Sequence, residues 1–279
     1  TATVEAEMDY VDLDNLRQQA PNMSQKFQNA KPYPYIKIDD FLNDQTRQEL
    51  VQAFPAQDSA CWDNVDHEHQ RFKLSCSSVE RMPIALRNAI FELNSGPFIE
   101  WLEQLSGIKH LQPDPFLVGG GLHATLPGGY LTPHVDFHTI GDRPLFRRLN
   151  LLVYLNENWS EQNNGNLEIW DKQADQVVDE CAPTIGNALI FRTDMESMHG
   201  FSKPVKNQMR CSIALYYYTV EKPEHFSGDA ATHWRVKSVK SGSLTDGLRL
   251  TAQQGFAFVG RTANAIGWRA YSVADKLRK

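Results

Sequence analysis

From about residue 113 the apolar positions come in short bursts, FLVGGGLHATL, YLTPHVDFH, RRLNLLVYLN, GNLEIWD, NALIFRT and RCSIALYYYTV, separated by Gly, Pro and Asn. Bursts of this length with no helical spacing between them predict an antiparallel sandwich or barrel. Upstream the spacing is different. Leu86, Ile90 and Leu93 recur at helical intervals, and Phe98, Trp101, Leu102 and Leu105 line one face of a second helix that Ser95 can cap and Gly107 stops. An earlier helix, capped by Asn43, carries Leu50, Val51 and Phe54 on its inner stripe and ends before Pro55. In PYPYIKIDDFL, Tyr35, Lys37 and Asp39 alternate with Ile36, Ile38 and Asp40, the pattern of a short strand. The first thirty residues are polar without strong periodicity and read as a loosely held arm. Residues 56–80 are polar and irregular and suggest no element, while PGGY (127–130) reads as a hairpin turn. The expectation is a single domain, 1–279, mainly β with α. It comprises an N-terminal strand with supporting helices (1–112), a β core (113–221) and a C-terminal extension (222–279).

Charge and composition narrow the function. A formal charge of −6, with Lys and Arg scattered, argues against a nucleic-acid partner. No run of eighteen apolar residues suggests a membrane span, and the acidic start shows no apolar signal segment. Four cysteines without a CxxC pair fit a reduced setting, so the expected location is cytoplasmic. VGGGL lacks the GK[ST] ending of a phosphate loop and leads into no helix, so it reads as a bulge or close strand approach.

The candidate chemistry lies in TPHVDFH. On a strand His134 and Asp136 project together, and an imidazole with a carboxylate suits a first-row divalent metal. His199, at a turn after the NALIFRT strand, can supply a third ligand. Two histidines and a carboxylate on one side of a metal leave the other side open, the arrangement of non-haem iron oxygenases. His138 shares the His134 face but sits two strand repeats away, roughly 13 Å, and is expected near the site rather than on the metal. Arg210 and Ser212 share one face of an otherwise apolar strand, where a guanidinium and a hydroxyl together suit a carboxylate.

These elements, GGGLHATLPGGYLTPHVDFH, RRLNLLVYLNENW, GNLEIWD, ALIF, SMHGFSKPV and RCSIALYYYT in that order, resemble the iron(II)- and 2-oxoglutarate-dependent dioxygenases, especially their prolyl 4-hydroxylase-like branch. The resemblance implies a double-stranded β-helix, or jelly roll, for the core. It implies that His134, Asp136 and His199 bind Fe(II), and that Arg210 with Ser212 holds the far carboxylate of 2-oxoglutarate. Tyr154 would donate to that carboxylate, and His123 would line the same pocket. O2 is the second cosubstrate and ascorbate a reductant. The activity implied is hydroxylation of a C–H bond with conversion of 2-oxoglutarate to succinate and CO2. Halogenating relatives lack the carboxylate ligand, so Asp136 points to hydroxylation.

A small molecule, such as an amino acid or natural-product intermediate, is the expected substrate, ahead of peptidyl proline in a protein. Two rivals stand beside this reading: a cupin-type metal enzyme, whose two close histidines and glutamate are not seen here, and a non-catalytic jelly-roll binding module. One of Arg147 and Arg148 is expected to face the barrel interior, where it would meet an acidic substrate or pack. Asn150 and Trp170 are expected on strands flanking the cavity.

Overall fold

A computed structural model describes residues 9–140, 143–223 and 231–235. Contacts divide the chain into two units, Thr1–Arg235 and Val236–Lys279, and every described residue belongs to the first. Most of the expected C-terminal extension therefore lies outside the described residues.

The helices are α1 (Leu13–Asn29), α2 (Asp44–Ala53), α3 (Ile84–Leu93) and α4 (Gly96–Ser106). The strands are β1 (Tyr35–Ile38), β2 (Asp63–Asn64), β3 (Gln70–Cys76), β4 (Gln112–Pro113), β5 (Gly121–Val135) and β6 (Phe146–Tyr154). They continue as β7 (Leu167–Asp171), β8 (Gln176–Cys181), β9 (Ala188–Arg192), β10 (His199–Phe201), β11 (Arg210–Thr219) and β12 (His233–Trp234). The main sheet runs β1-β9-β6-β11-β5-β10-β7-β8, with β3 and β12 also on β5 and β4 on β11. This is the nearly closed antiparallel barrel of a double-stranded β-helix.

Strand alternation sorts the side chains into two layers. Leu149, Leu151 and Val153 of β6 and Ile213, Leu215 and Tyr217 of β11 join the cluster formed with the helices. Their neighbours Asn150, Leu152, Ser212 and Tyr216 line a cavity on the other face. The helices thus cover the back of the sheet and leave its concave face for the site. Trp101 of α4 is fully buried in the helical cluster, and truncation to Ala costs about 3–5 kcal/mol.

Three sequence expectations need correction. The first thirty residues hold a 17-residue helix rather than a loose arm. Leu16, Ala20, Met23 and Phe27 form its buried stripe, the Asp12 carboxylate accepts from Asn15 N at 2.9 Å to cap it, and Trp101 Nε1 donates to Leu16 O at 3.0 Å. Residues 56–80 contain β2 and β3, and β3 pairs along β5. PGGY is not a hairpin turn, because β5 runs through it. Arg71 pairs Tyr130 while Lys73 pairs Thr125, so 126–129 bulge out opposite Phe72. Gly128, at φ 89°, supplies the left-handed backbone this needs. Upstream of the bulge β5 pairs with β11; downstream it pairs with β10. One strand therefore serves both walls of the cavity.

Candidate active site

Strand register brings the metal-binding candidates together. His134, near the end of β5, lies opposite His199, the first residue of β10, and the ring centroids are 4.6 Å apart. Asp136 follows β5 directly. Its Oδ1 is 3.3 Å from His134 Nε2 and its Oδ2 is 3.5 Å from His199 Nε2. One ligand atom from each of these three buried residues lies within 4.8 Å of the other two. Each imidazole is turned by its own backbone, with His134 Nδ1 2.9 Å from Thr132 O and His199 Nδ1 2.9 Å from Ser197 O. A carbonyl can only accept, so each Nδ1 carries a hydrogen and each Nε2 is turned toward Asp136. Burial, opposed by Asp136 and helped by His134, lowers the His199 pKa to about 4, so this ring is neutral at pH 7.

Asp136 is locked from behind. Its Oδ2 accepts from Arg147 Nη2 at 3.0 Å and from Asn150 Nδ2 at 2.8 Å. Asn150 Oδ1 accepts in turn from Arg147 Nε at 2.7 Å and Thr193 Oγ1 at 3.2 Å. Burial pushes the Asp136 pKa up, but Arg147 and the two histidines outweigh it and hold the carboxyl well below its usual range. Arg147, fully buried, lies over the Tyr216 ring at 3.4 Å and the Phe137 ring at 4.7 Å. The inward arginine of the Arg147–Arg148 pair therefore serves the carboxylate of the triad.

Polar residues build the opposite wall in two rows across the strands. Ser75, His123, Ser212 and Tyr154 are register partners along β3, β5, β11 and β6, and Lys73, Thr125 and Arg210 form the next row. Arg210 is buried, donates from Nε to Gly165 O at 2.7 Å, and lies 4.5 Å from the Phe201 ring and 5.2 Å from the Tyr154 ring. Among the described residues neither Arg210 Nη2 nor the buried Tyr154 hydroxyl has a hydrogen-bond partner. Burial and the nearby Lys73 lower the His123 pKa well below its ordinary value, so His123 is neutral. Both walls border one cavity of about 260 Å³, where His134, Asp136 and His199 face Arg210, Ser212 and His123. Tyr154 stands behind this lining, against Arg210. His138, though 1 % exposed, lies outside the lining and outside the ligand cluster.

Two nitrogen donors with one carboxylate oxygen suit a first-row divalent metal, and an unpartnered guanidinium nitrogen with a buried hydroxyl suits a carboxylate. The residues present fit iron and 2-oxoglutarate. Residues 120–218 match the family model described as the 2OG-Fe(II) oxygenase superfamily. Over that span the chain resembles a 2OG-Fe(II) oxygenase domain.

Solved structures agree with the oxygenase fold. A Trichoplax adhaerens prolyl hydroxylase in complex with a hypoxia inducible factor peptide fragment is 20% identical, covering 73% of this chain and 92% of its own, with a TM-score of 0.53. A prolyl 4-hydroxylase from Phytophthora capsici is 17% identical, covering 78% and 68%, with a TM-score of 0.52. HygX from Streptomyces hygroscopicus, with nickel and 2-oxoglutarate bound, is 10% identical, covering 76% and 96%, with a TM-score of 0.50. No curated protein matches the chain. Among the described residues no helix is long and apolar enough to cross a membrane.

Lys73 and the mouth of the cavity were not legible in the sequence. Lys73 lines the cavity from β3, outside the matched residues 120–218. Trp234 of β12 lies against the His134 ring at 4.8 Å and stacks on His69, also at 4.8 Å, with His67 at 5.2 Å. Period-2 alternation in QRFKLSC was the available signal for Lys73, and the bulge at Phe72 interrupts it.

Proposed function

We propose that this oxygenase hydroxylates an unactivated C–H bond of a small molecule, with His134, Asp136 and His199 holding Fe(II). Arg210, Tyr154 and Ser212 hold the far carboxylate of 2-oxoglutarate, and His123 lines the same wall. When bound, iron with 2-oxoglutarate and dioxygen supplies oxidative decarboxylation to succinate and CO2 coupled to C–H oxidation. The observation that carries the reading is the buried, unpartnered Arg210 Nη2, with the Tyr154 hydroxyl behind it, across one cavity from three convergent ligand atoms.

The side chains have distinct tasks in this scheme. The carbonyls of Thr132 and Ser197 fix the imidazoles with Nε2 toward the ion. Arg147 and Asn150 keep Asp136 ionised and aimed. Leu131, Leu152, Leu167 and Phe201 line the cavity with apolar surface that excludes water around a bound keto acid. A volume of about 260 Å³ falls below the roughly 300–1,000 Å³ of drug-sized sites, which supports a small substrate.

The test is succinate release from 2-oxoglutarate with Fe(II), ascorbate as the proposed reductant, and a panel of amino acids and other small molecules. The expected result is iron-dependent succinate together with a product heavier by one oxygen atom. Absence of iron-dependent succinate across the panel, with a Mn(II)- and 2-oxoglutarate-free protein by calorimetry, overturns the reading.

A further inference from the structure

Lys73 is a cation that the proposed chemistry does not use. Arg147 is committed to Asp136, and Arg210 leans toward Gly165, Phe201 and Tyr154, where the far carboxylate of the keto acid would sit. Lys73 and Arg210 are both register partners of Thr125, one on each side of β5, so their Cα atoms are two strand spacings apart, roughly 10 Å. Among the described residues the Lys73 ammonium has no hydrogen-bond or ion-pair partner, although it lines the cavity beside Ser75 and Thr125. His123, the neighbouring titratable group, is neutral and offers no counter-charge. A lysine used only for packing would send its ammonium to water. Here burial lowers its pKa to about 8, an effect opposed by Asp136 and reinforced by Arg210 and Arg147. Lys73 is half-buried, and a partly desolvated, unpaired cation on a cavity wall gains when an anion joins it.

We propose that Lys73 anchors a carboxylate of the primary substrate, so that this oxygenase acts on a small carboxylic acid. Ser75 and Thr125 contribute hydroxyl donors on the same wall. The inference rests on the reading of the cavity as an iron and 2-oxoglutarate site. It adds the substrate's chemical class and the residue that selects it.

The experiment measures binding without oxygen to protein loaded with Mn(II) and 2-oxoglutarate. The probes are L-amino acids and small monocarboxylic acids, each paired with its neutral amide. Wild type, Lys73→Met and Lys73→Arg are compared, with thermal melting as a check on folding. At least one acid should bind about 30-fold or more tightly than its amide, as expected for a close charge pair in a cavity. Lys73→Met should erase that preference and Lys73→Arg restore part of it, while 2-oxoglutarate affinity stays within about threefold of wild type. Equal binding of acids and amides, or no binding acid in the panel, overturns the proposal. A loss of 2-oxoglutarate affinity beyond about tenfold in Lys73→Met also overturns it, by assigning the lysine to the keto-acid site. Failure of wild type to bind Mn(II) or 2-oxoglutarate is a separate result that removes the underlying reading. If Lys73→Met does not fold, the acid-over-amide preference of Lys73→Arg against wild type decides.

Discussion

The two walls of the cavity differ in how much of their polar capacity is already used. Around the triad, His134 and His199 each meet a carbonyl and Asp136 meets Arg147 and Asn150, so the outward polar atoms of the three ligand candidates are spent, while Arg147 Nη1 makes no hydrogen bond and its guanidinium lies over the Tyr216 ring. Across the cavity, Arg210 Nη2 and the Tyr154 hydroxyl have no hydrogen-bond partner, and the Lys73 ammonium has none among the described residues. A fully braced cluster is preorganised for an ion it must not let move. A cluster with buried donors to spare is built for ligands that come and go, since each spare donor is a cost that a ligand's carboxylate removes.

The difference can be broken from either side. The largest effect is expected for His134→Ala, which removes a direct ligand: iron content and succinate formation should be lost while the circular dichroism spectrum stays unchanged. His138→Ala is the matched control and should keep its iron. Next comes Arg210→Leu, which strips the far carboxylate of its guanidinium and should weaken 2-oxoglutarate binding by about 100-fold, roughly 3 kcal/mol, measured by calorimetry. Iron retention should be unaffected in that variant, and equal affinity for 2-oxoglutarate would dissolve the contrast between the walls. Asn150→Ala loosens the brace without touching a ligand atom and should cost about 10-fold or more in metal affinity, read by competition with a chelator. The mildest effect is on pH. Lys73 is protonated below its lowered pKa of about 8, so acid binding should be flat at lower pH. It should then fall by at most about tenfold per unit as pH rises through that value, a slope that Lys73→Met abolishes. Of the groups facing Lys73, Asp136 and His123 have pKa values lowered well below their ordinary ranges, and the Arg147 pKa is raised.

The same contrast governs what could be read from the chain before folding. The triad was legible because His134 and Asp136 are two residues apart on a strand and His199 stands at the start of another. The barrel was legible because β6, β9 and β11 are nearly continuous apolar runs. The bracing of Asp136 was half-visible: one arginine of the pair was expected inside, but its partner depends on pairing between segments far apart in sequence. Lys73 was hidden because Phe72, at φ 53° and 43% exposed, breaks the alternation of β3. Helix α1 was hidden for another reason. Its stripe of Leu16, Ala20, Met23 and Phe27 has the right spacing, yet Ala20 is small and Pro21 interrupts the polar sequence around it.

The bulge at 126–129 has a mechanical consequence for how this strand tolerates change. Since β5 must aim His123 and Thr125 at one partner and His134 at another, the bulge separates two alignments, and it is itself pinned where Gly128 N donates to Val205 O at 2.7 Å and Gly129 O accepts from Val205 N at 2.8 Å. A residue gained or lost between Tyr130 and His134 would turn the imidazole to the wrong side of the sheet.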